Sequence, residues 1–287
     1  MTIWLAFLLF RPGIGQGEVG IFAGIANYQG DLTSFSTTDG FRALVHPVIG
    51  VHVAMEKSKA FQLRADLMYM RLSGDDAWSD KEETRIRNLR FFTPVVQLAA
   101  GMDWNILGFS QQESKAFTPY ASLGVSVFYF NPRTEYEGRK VSLRPLGTEG
   151  QFLDDYPDQK PYSPIQPSVR IGGGLKFLTE QKIIIALEAM MSMTFTDYLD
   201  DVSTIYISYP ELLAKAGPLT AALANRQGEY LGTEPVIVPT GTSRANSNSK
   251  DFFGTITIRI SKTFEMQQSG FKIRNNNNRK RIHCPKF

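Results

Sequence analysis

The sequence predicts an all-β protein: an eight-stranded antiparallel transmembrane β-barrel with a filled lumen and long extracellular loops. Three observations lead to this prediction. Long segments carry apolar residues at every second position, the links between them alternate between short and long, and aromatic residues group at both ends of the apolar rows. The eight segments span residues 18–30, 42–55, 61–72, 89–106, 117–130, 164–178, 182–196 and 251–264.

The apolar rows are long enough to cross a bilayer. In the seventh segment every second residue from Ile183 to Phe195 is apolar, whereas the opposite row contains Glu188, Ser192 and Thr194. Such rows run about 9–12 residues, the length of a tilted strand that spans a membrane. Strands of a soluble β-sandwich also alternate, but they average about 5–6 residues. The length of the rows therefore favours the membrane barrel.

The links and the aromatic residues predict how the barrel is oriented. Residues 56–60, 107–116 and 179–181 form short or moderate links, whereas 131–163 and 197–250 are long. This alternation is typical of barrels in the cell outer membrane, and an even strand number places both termini on the short-turn side, in the periplasm. Aromatic residues are expected at both membrane interfaces. They are Phe61, Trp104, Phe177 and Phe264 on the short-turn side, and Tyr69, Phe92, Tyr129, Phe195 and Phe252 on the long-loop side.

Charged residues fall on the inward rows. The predicted lumen receives four basic and three acidic side chains: Arg64, Arg170, Lys176, Arg259, Asp66, Asp103 and Glu188. Because an unpaired buried charge is very costly, we expect these groups to form a luminal charge network. The alternative is an ion-conducting path lined by the same charges. An eight-stranded barrel has room for little more than its own side chains, which favours the network.

Few residue patterns point to catalysis or to a metal. Cys284 is the single cysteine, which excludes an intrachain disulfide framework and a cysteine-based zinc site. His46 and His52 share the inward face of the second segment with no third ligand type nearby, so hydrogen bonding in the lumen is the simpler interpretation. The sequence contains no nucleophile elbow and no metalloprotease helix motif. We expect a non-enzymatic protein with no cofactor, no metal and no small-molecule substrate.

An acidic motif follows the seventh segment. Where this segment enters the longest link, the chain carries Asp197, Tyr198, Asp200 and Asp201. These carboxylates either hold the loop together by hydrogen bonding or bind a divalent cation. The following residues, 209–226, have a helix-forming composition interrupted by Gly217-Pro218. They are predicted to fold over the barrel mouth.

The two ends of the chain differ from the barrel segment 18–264. Residues 1–17 contain an apolar run and then small residues, which predicts a signal peptide without its usual basic start; the alternative is a first core strand. The tail, residues 265–287, is basic and contains Lys272, Arg274, Arg279, Lys280 and Arg281. Such a tail is either a solvated end or a docking segment for an acidic partner or anionic lipid. Nucleic acid is not an expected partner of an exported chain.

Several pieces of the sequence resemble the PorG family, an outer-membrane β-barrel component of the type IX secretion system of Bacteroidetes. They are EVGIFAGIANYQGDLT (18–33), FTPYASLGVSVFYFNP (117–132), RPLGTEGQ (144–151), TFTDYLDDVSTIY (194–206) and CPKF (284–287). The most specific pieces are PLGTEGQ and FTDYLDDVS, and the resemblance covers most of the chain from Glu18 onward. It implies a non-enzymatic factor that associates with the periplasmic PorK–PorN ring complex and holds it at the outer membrane. Protein secretion and, in some species, gliding motility would depend on it.

Two other functions stay open from the sequence. An OmpA-like barrel would act as a small porin or an adhesin through the links 131–163 and 197–250. An outer-membrane enzyme would need catalytic residues at the loop rim, where Asp197, Asp200 and Asp201 are the candidates. Outer-membrane lipid is an expected partner in every case.

Overall fold

A closed antiparallel barrel of eight strands forms the body of the protein. The computed structural model describes residues 16–32, 43–113, 116–246 and 249–265. The barrel strands are β1 Gln16–Gln29, β2 His46–Glu56, β3 Phe61–Asp75, β4 Arg90–Asn105, β5 Ala116–Phe130, β8 Ile165–Leu178, β9 Ile183–Thr194 and β10 Phe252–Glu265. Each strand pairs with its neighbour along the barrel, and β1 pairs with β10 to close the sheet. The predicted fold class is confirmed, with strand bounds within four residues of those predicted.

The two rims differ as the sequence predicts. On one rim the connections are residues 57–60, 106–115 and 179–182, and Gln16 and Glu265 pair there, so the first and last strands also end on this side. We call this the short-turn rim. The opposite, long-loop rim carries residues 30–45, 76–89, 131–164 and 195–251. Strand β1 begins at Gln16, inside the segment 1–17 predicted as a signal peptide, and residues 1–15 of that segment lie outside the described residues.

The two faces of the barrel wall have opposite character. Apolar side chains are exposed on the outside of every barrel strand, for example Ile21, Ile49, Leu67, Leu98, Val125, Ile171, Leu187 and Ile258. Buried residues line the inside, among them Phe22, Met68, Gln97, Phe128, Arg170, Glu188 and Arg259. An apolar exterior around an interior that contains charged and polar side chains reverses the pattern of a soluble protein and matches a hydrocarbon surrounding.

Aromatic side chains border this apolar belt at both rims, as predicted. Phe61, Trp104, Phe177 and Phe264 are exposed near the short-turn rim, and Tyr69, Tyr129, Phe195 and Phe252 near the long-loop rim. Phe92 differs because it is half-buried beneath two cationic side chains, those of Arg71 and Lys140.

A small hairpin within the long loop 131–164 was not predicted. Strands β6 Arg133–Tyr136 and β7 Arg139–Ser142 pair with each other, and Arg133 pairs with Phe92 at the start of β4. The hairpin turn uses Glu137 and Gly138, both left-handed at φ 48° and 73°. Two left-handed residues are what a tight hairpin turn requires, and glycine adopts this conformation without strain whereas glutamate does not.

Short helices complete the long-loop rim. A 3₁₀ turn, Asp76–Trp78, and helix α1 Glu82–Arg87 connect β3 to β4. Helices α2 Tyr209–Ala216, α3 Pro218–Ala224 and α4 Gln227–Leu231 lie in the longest loop, and Gly217 separates the first two as predicted. We call the described parts of segments 131–164 and 195–251 the cap. None of the helices among the described residues is long and apolar enough to cross a membrane.

One apolar cluster joins the barrel interior to the cap. Barrel residues Phe22, Met68, Met70, Phe128 and Phe253 belong to the same buried cluster as cap residues Leu143, Tyr162, Leu199, Val202 and Leu223. The cap therefore packs into the mouth of the barrel, as the sequence predicts for residues 209–226.

Candidate functional site

Ion pairs fill the half of the lumen nearest the short-turn rim. At their centre, the Arg64 guanidinium lies 2.9 Å from Asp66 Oδ2, 3.3 Å from Asp103 Oδ1 and 3.1 Å from Glu188 Oε2. Arg170 Nη1 approaches Asp66 Oδ2 from the opposite wall at 2.5 Å. Every one of these groups is buried, so each charge depends on its partners rather than on water.

The network extends toward the short-turn rim through Lys176. Its ammonium group donates to Asp103 Oδ2 at 2.6 Å and to Gln62 Oε1 at 2.7 Å, and it lies 4.2 Å from the centre of the Tyr120 ring. The Tyr120 hydroxyl donates to Glu188. The structure thus places all seven charges of the predicted luminal charge network inside the barrel and in mutual contact.

Two members of the network were not included in that prediction. Glu18 at the start of β1 lies 3.7 Å from Arg259 Nε and accepts hydrogen bonds from Gln62 and Ser261. With Glu18, four carboxylates balance the four basic side chains. His52 forms a hydrogen bond with Asp66 Oδ1 through Nδ1 and with the Arg259 guanidinium through Nε2.

The part of the lumen between the charge network and the long-loop rim is also filled with side chains. Gln97 Nε2 donates to Ser126 at 2.8 Å and to Ser192 at 3.1 Å, and this polar layer lies below the apolar cluster that continues into the cap. The cavity beside Arg64 and Arg170 measures about 10 Å³, room for about one water molecule. The described side chains are therefore closely packed at this level of the lumen.

The acidic motif after β9 fastens the cap to the barrel wall. The Tyr28 hydroxyl of β1 lies 2.7 Å from Asp200 Oδ2 and 2.8 Å from Asp251 Oδ1, and all three residues are buried. The other carboxylate oxygens accept backbone N–H groups of Val202 and Leu199, each at 3.0 Å. We call Tyr28, Asp200 and Asp251 the Tyr28 latch.

The latch holds a proton by its geometry. A tyrosine hydroxyl has one hydrogen to donate, so two short contacts with two carboxyl groups require a further hydrogen on one of them. Burial and the nearby Asp251 raise the pKa of Asp200 well above its usual range, and burial raises the pKa of Asp251 to about 8. Both shifts favour the protonated form that the contacts require.

The two most specific pieces of the sequence meet within the cap. Glu149 from PLGTEGQ accepts backbone N–H groups of Ser203 and Thr204 at 2.9 and 3.1 Å, and it pairs with Arg244 Nη1 at 3.0 Å. Asp201 from FTDYLDDVS accepts hydrogen bonds from Thr148 at 2.7 Å and Tyr162 at 2.5 Å. Burial raises the pKa of Asp201 to about 6. These motifs therefore build one structural unit.

The other predicted site residues have structural positions or lie outside the described ranges. Asp197 accepts a hydrogen bond from Ser203 at 2.8 Å, and the Tyr198 ring stacks on Tyr162 at 4.7 Å. No group of three His, Cys, Asp or Glu residues within the described ranges is arranged to hold a metal ion. The basic tail residues Lys272, Arg274, Arg279, Lys280 and Arg281 lie outside the described residues.

The closed sheet, the apolar exterior and the charged, filled interior together define the class of this molecule. It is a transmembrane β-barrel of the outer-membrane type, with a packed lumen and a folded cap.

Comparisons with known proteins concern the family and the fold. Residues 2–144 match the family described as a domain of unknown function, DUF6089. No curated protein matches the chain. One similar solved structure is that of Ail, the attachment invasion locus protein of Yersinia pestis, in complex with the heparin analogue sucrose octasulfate. The structural alignment covers 88% of this chain and 100% of the Ail chain, with 10% sequence identity and a TM-score of 0.41.

Two further solved structures have a similar architecture. Neisserial surface protein A (NspA) is similar over 86% of this chain and 97% of its own, with 9% identity and a TM-score of 0.40. The N-terminal β-barrel domain of Pseudomonas aeruginosa OprF is similar over 87% and 99%, with 9% identity and a TM-score of 0.32.

Proposed function

We propose that this protein is a non-enzymatic anchor in the outer membrane that holds the periplasmic PorK–PorN ring complex of the type IX secretion system. The observation that carries the proposal is the filled barrel: paired charges occupy the lower lumen, and the cap closes the mouth. A barrel filled in this way acts through its surfaces rather than through a channel. Protein secretion then depends on what the barrel holds in place.

The apolar belt supports a location in the outer membrane. Antiparallel barrels that have an aliphatic belt between two bands of aromatic residues insert in outer membranes. Their short turns face the periplasm and their long loops face outward. In this orientation Gln16 and Glu265 mark the periplasmic rim. The basic tail then starts on the side where a periplasmic ring would lie.

The resemblance to PorG supports the choice of partner. PLGTEGQ and FTDYLDDVS are the most specific pieces of that resemblance, and they contact each other through Glu149 and Asp201 in the cap. The two pieces therefore belong to one folded unit of this chain. The proposed role includes support of gliding motility in species that glide.

A pull-down from native outer membranes tests the proposal. Affinity-tagged full-length protein is expected to recover PorK and PorN, and a variant that lacks residues 270–287 is expected to recover less of both. A matched control replaces two exposed cap charges, Lys160 and Asp154, with glutamine and asparagine. If the full-length protein recovers neither ring protein, the anchor role is wrong; if only the tail deletion has no effect, the contact lies on the rim instead.

The outer surface of the cap favours a second candidate, binding of another protein at the cell surface. Leu213, Tyr230, Leu231 and Ile237 are exposed there, the last at 67%. Exposed apolar groups on a folded cap are a common feature of binding surfaces. If the protein is an adhesin, serine substitution of Leu231 and Ile237 is expected to abolish binding at the cell surface and to leave protein secretion intact. If it is an anchor, deletion of the gene is expected to stop protein secretion.

A further inference from the structure

Four basic side chains cluster near Phe92 on the outside of the long-loop rim. The Arg71 guanidinium lies 4.3 Å from the centre of the Phe92 ring, and Lys140 Nζ lies 5.8 Å from it. Arg133 pairs with Phe92 across the strands, and Arg90 begins the same strand. We call Arg71, Arg90, Arg133 and Lys140 the rim patch.

The rim patch has unused capacity to bind an anion. None of its four cations forms an ion pair with a carboxylate of the described residues, in contrast to the fully paired cations of the lumen. Arg133 Nε has no hydrogen-bond partner although that atom is buried. Three acidic residues lie near Arg90 without forming an ion pair with it. Asp75, its cross-strand neighbour, accepts the Ala77 N–H at 2.9 Å, Glu135 offers its backbone carbonyl to Arg90 at 3.2 Å, and Glu229 pairs with Arg226.

A polar pocket opens beside these cations. It measures about 190 Å³, and its lining includes His46, Arg71, Ser73, Arg90 and Phe92 together with the acidic residues Asp75 and Glu135. Arg133 and Lys140 are not part of this lining. Arginine donors in a fork arrangement and lysine are the usual ligands of phosphate oxygens in proteins. The pocket therefore has both the space and the donors for a phosphate group.

An apolar groove begins directly below the pocket. It measures about 850 Å³ and runs along the outer face of β10 and β1–β4. Its lining includes Ile21, Ala23, Ile49, Val51, Leu67, Tyr69, Val96, Ile258 and Ile260. Tyr69 and Arg71 are two residues apart on one face of β3, which separates them by about 6.7 Å. Pocket and groove are thus arranged as the charged head and the acyl chain of a lipid are.

We propose that the rim patch and the groove bind a phosphorylated lipid of the leaflet that surrounds the long-loop rim. Phosphate oxygens accept hydrogen bonds from Arg71 and Arg90 and charge stabilisation from Lys140, while an acyl chain lies along the groove. The proposal rests on the membrane orientation in the proposed function but does not depend on the ring complex. A lipid is a better occupant than a free phosphate ion because the pocket lies at the aromatic border of the belt, where headgroups are located.

Native mass spectrometry of the detergent-solubilised full chain tests the proposal with diphosphorylated lipid A as the probe. Each basic residue near an anionic headgroup contributes about fivefold in affinity, so the double variant Arg71→Gln/Lys140→Gln is expected to bind lipid A about 30-fold more weakly. The control Lys262→Gln removes an exposed cation at the short-turn rim and is expected to bind like the unmodified protein.

Two further measurements identify the ligand. Fully dephosphorylated lipid A is expected to bind the unmodified chain as weakly as lipid A binds the double variant, and inorganic phosphate at equal concentration is expected not to displace bound lipid A. Heat-modifiable gel migration verifies that each variant is folded, and Arg90→Gln/Arg133→Gln serves as a second double variant. Binding by both double variants within twofold of the control, equal binding of the dephosphorylated lipid, or displacement by phosphate would each overturn the proposal.

Discussion

Glu188 is the carboxylate on which two luminal guanidinium groups converge. It lies 3.1 Å from Arg64 and 3.2 Å from Arg259, and it accepts the Tyr120 hydroxyl. Glu188→Gln removes the negative charge and leaves two buried cations short of a partner. Loss of one partner from a buried ion pair costs about 3–5 kcal/mol. We expect the free energy of unfolding, measured by urea titration in lipid vesicles, to fall by this amount.

The matched control for this variant is Glu82→Gln, at an exposed position of helix α1. Exposed charges contribute about 0–1 kcal/mol to stability, so the control is expected to unfold almost as the unmodified protein does. Equal stability of the two variants would show that the luminal carboxylate is not held by its partners.

The Tyr28 latch predicts that attachment of the cap depends on pH. Burial raises the pKa of Asp251 in the folded protein to about 8, above the ordinary value of 3.8. Because the pKa is raised in the folded state, the stability that this proton contributes is fully present below about pH 4 and is lost as the pH rises through 8. Amide hydrogen exchange in segment 195–251, corrected for the intrinsic rate, is therefore expected to be several-fold faster at pH 9 than at pH 6.

The variant Asp251→Asn tests whether the pH dependence of hydrogen exchange comes from the proton of the Tyr28 latch. An asparagine amide donates to the Tyr28 oxygen as the protonated carboxyl does, so exchange in this variant is expected to change little between the two pH values. Asp154→Asn, an exposed cap position, is expected to retain the full pH dependence. A pH dependence that persists undiminished in Asp251→Asn would assign it to another group.

At the scale of the strands, the depth of a residue in the apolar belt determines how much free energy of unfolding is lost when a charge is introduced there. Ile258 lies outward on β10, six residues from each of the aromatic residues Phe252 and Phe264, and is 57% exposed. Ile258→Arg is expected to destabilise the barrel by about 2–4 kcal/mol because arginine would lie at the bilayer midplane. The comparison variant Ile185→Arg lies opposite Phe177 at the border, where the cost is about 0–1 kcal/mol. Equal unfolding free energies would contradict the assigned depth.

The strands themselves could be predicted because the membrane imposes a simple pattern on them. A strand that crosses the bilayer must present an apolar side chain to lipid at every second position along its whole length, and all eight barrel strands show such a row. The hairpin β6–β7 escaped prediction because its inward residues, Thr134 and Val141, are too few to form a row, and its turn uses Glu137 where asparagine is the usual signal.

The contacts of the site were less predictable than its residue types. Inward alternation identifies the seven luminal charges but missed Glu18. The excess of four basic over three acidic groups is the signal that could have indicated a further carboxylate. The latch left no such signal, since Tyr28 meets Asp200 and Asp251 across 172 and 223 residues of sequence. Contacts of this kind depend on how the cap seats on the barrel, which local patterns do not encode.

At the scale of the whole molecule, charged and apolar side chains occupy different regions of the barrel. Charges inside the barrel are balanced and buried, the belt is apolar, and the cations of the rim patch lie at the long-loop rim. The lumen is therefore structural, and the binding surfaces are the two rims, the belt and the cap. This division fits the anchor role proposed above, in which the barrel acts through its surfaces.

Conductance of the purified full chain in a planar bilayer tests most directly whether the barrel is sealed. Insertion is verified first by heat-modifiable migration and by protection of the strands from protease. The filled lumen and the seated cap predict no steady current from the inserted protein at neutral pH. A stable, reproducible single-channel current would contradict the sealed barrel. It would favour the alternative interpretation, in which the luminal charges line an ion-conducting path.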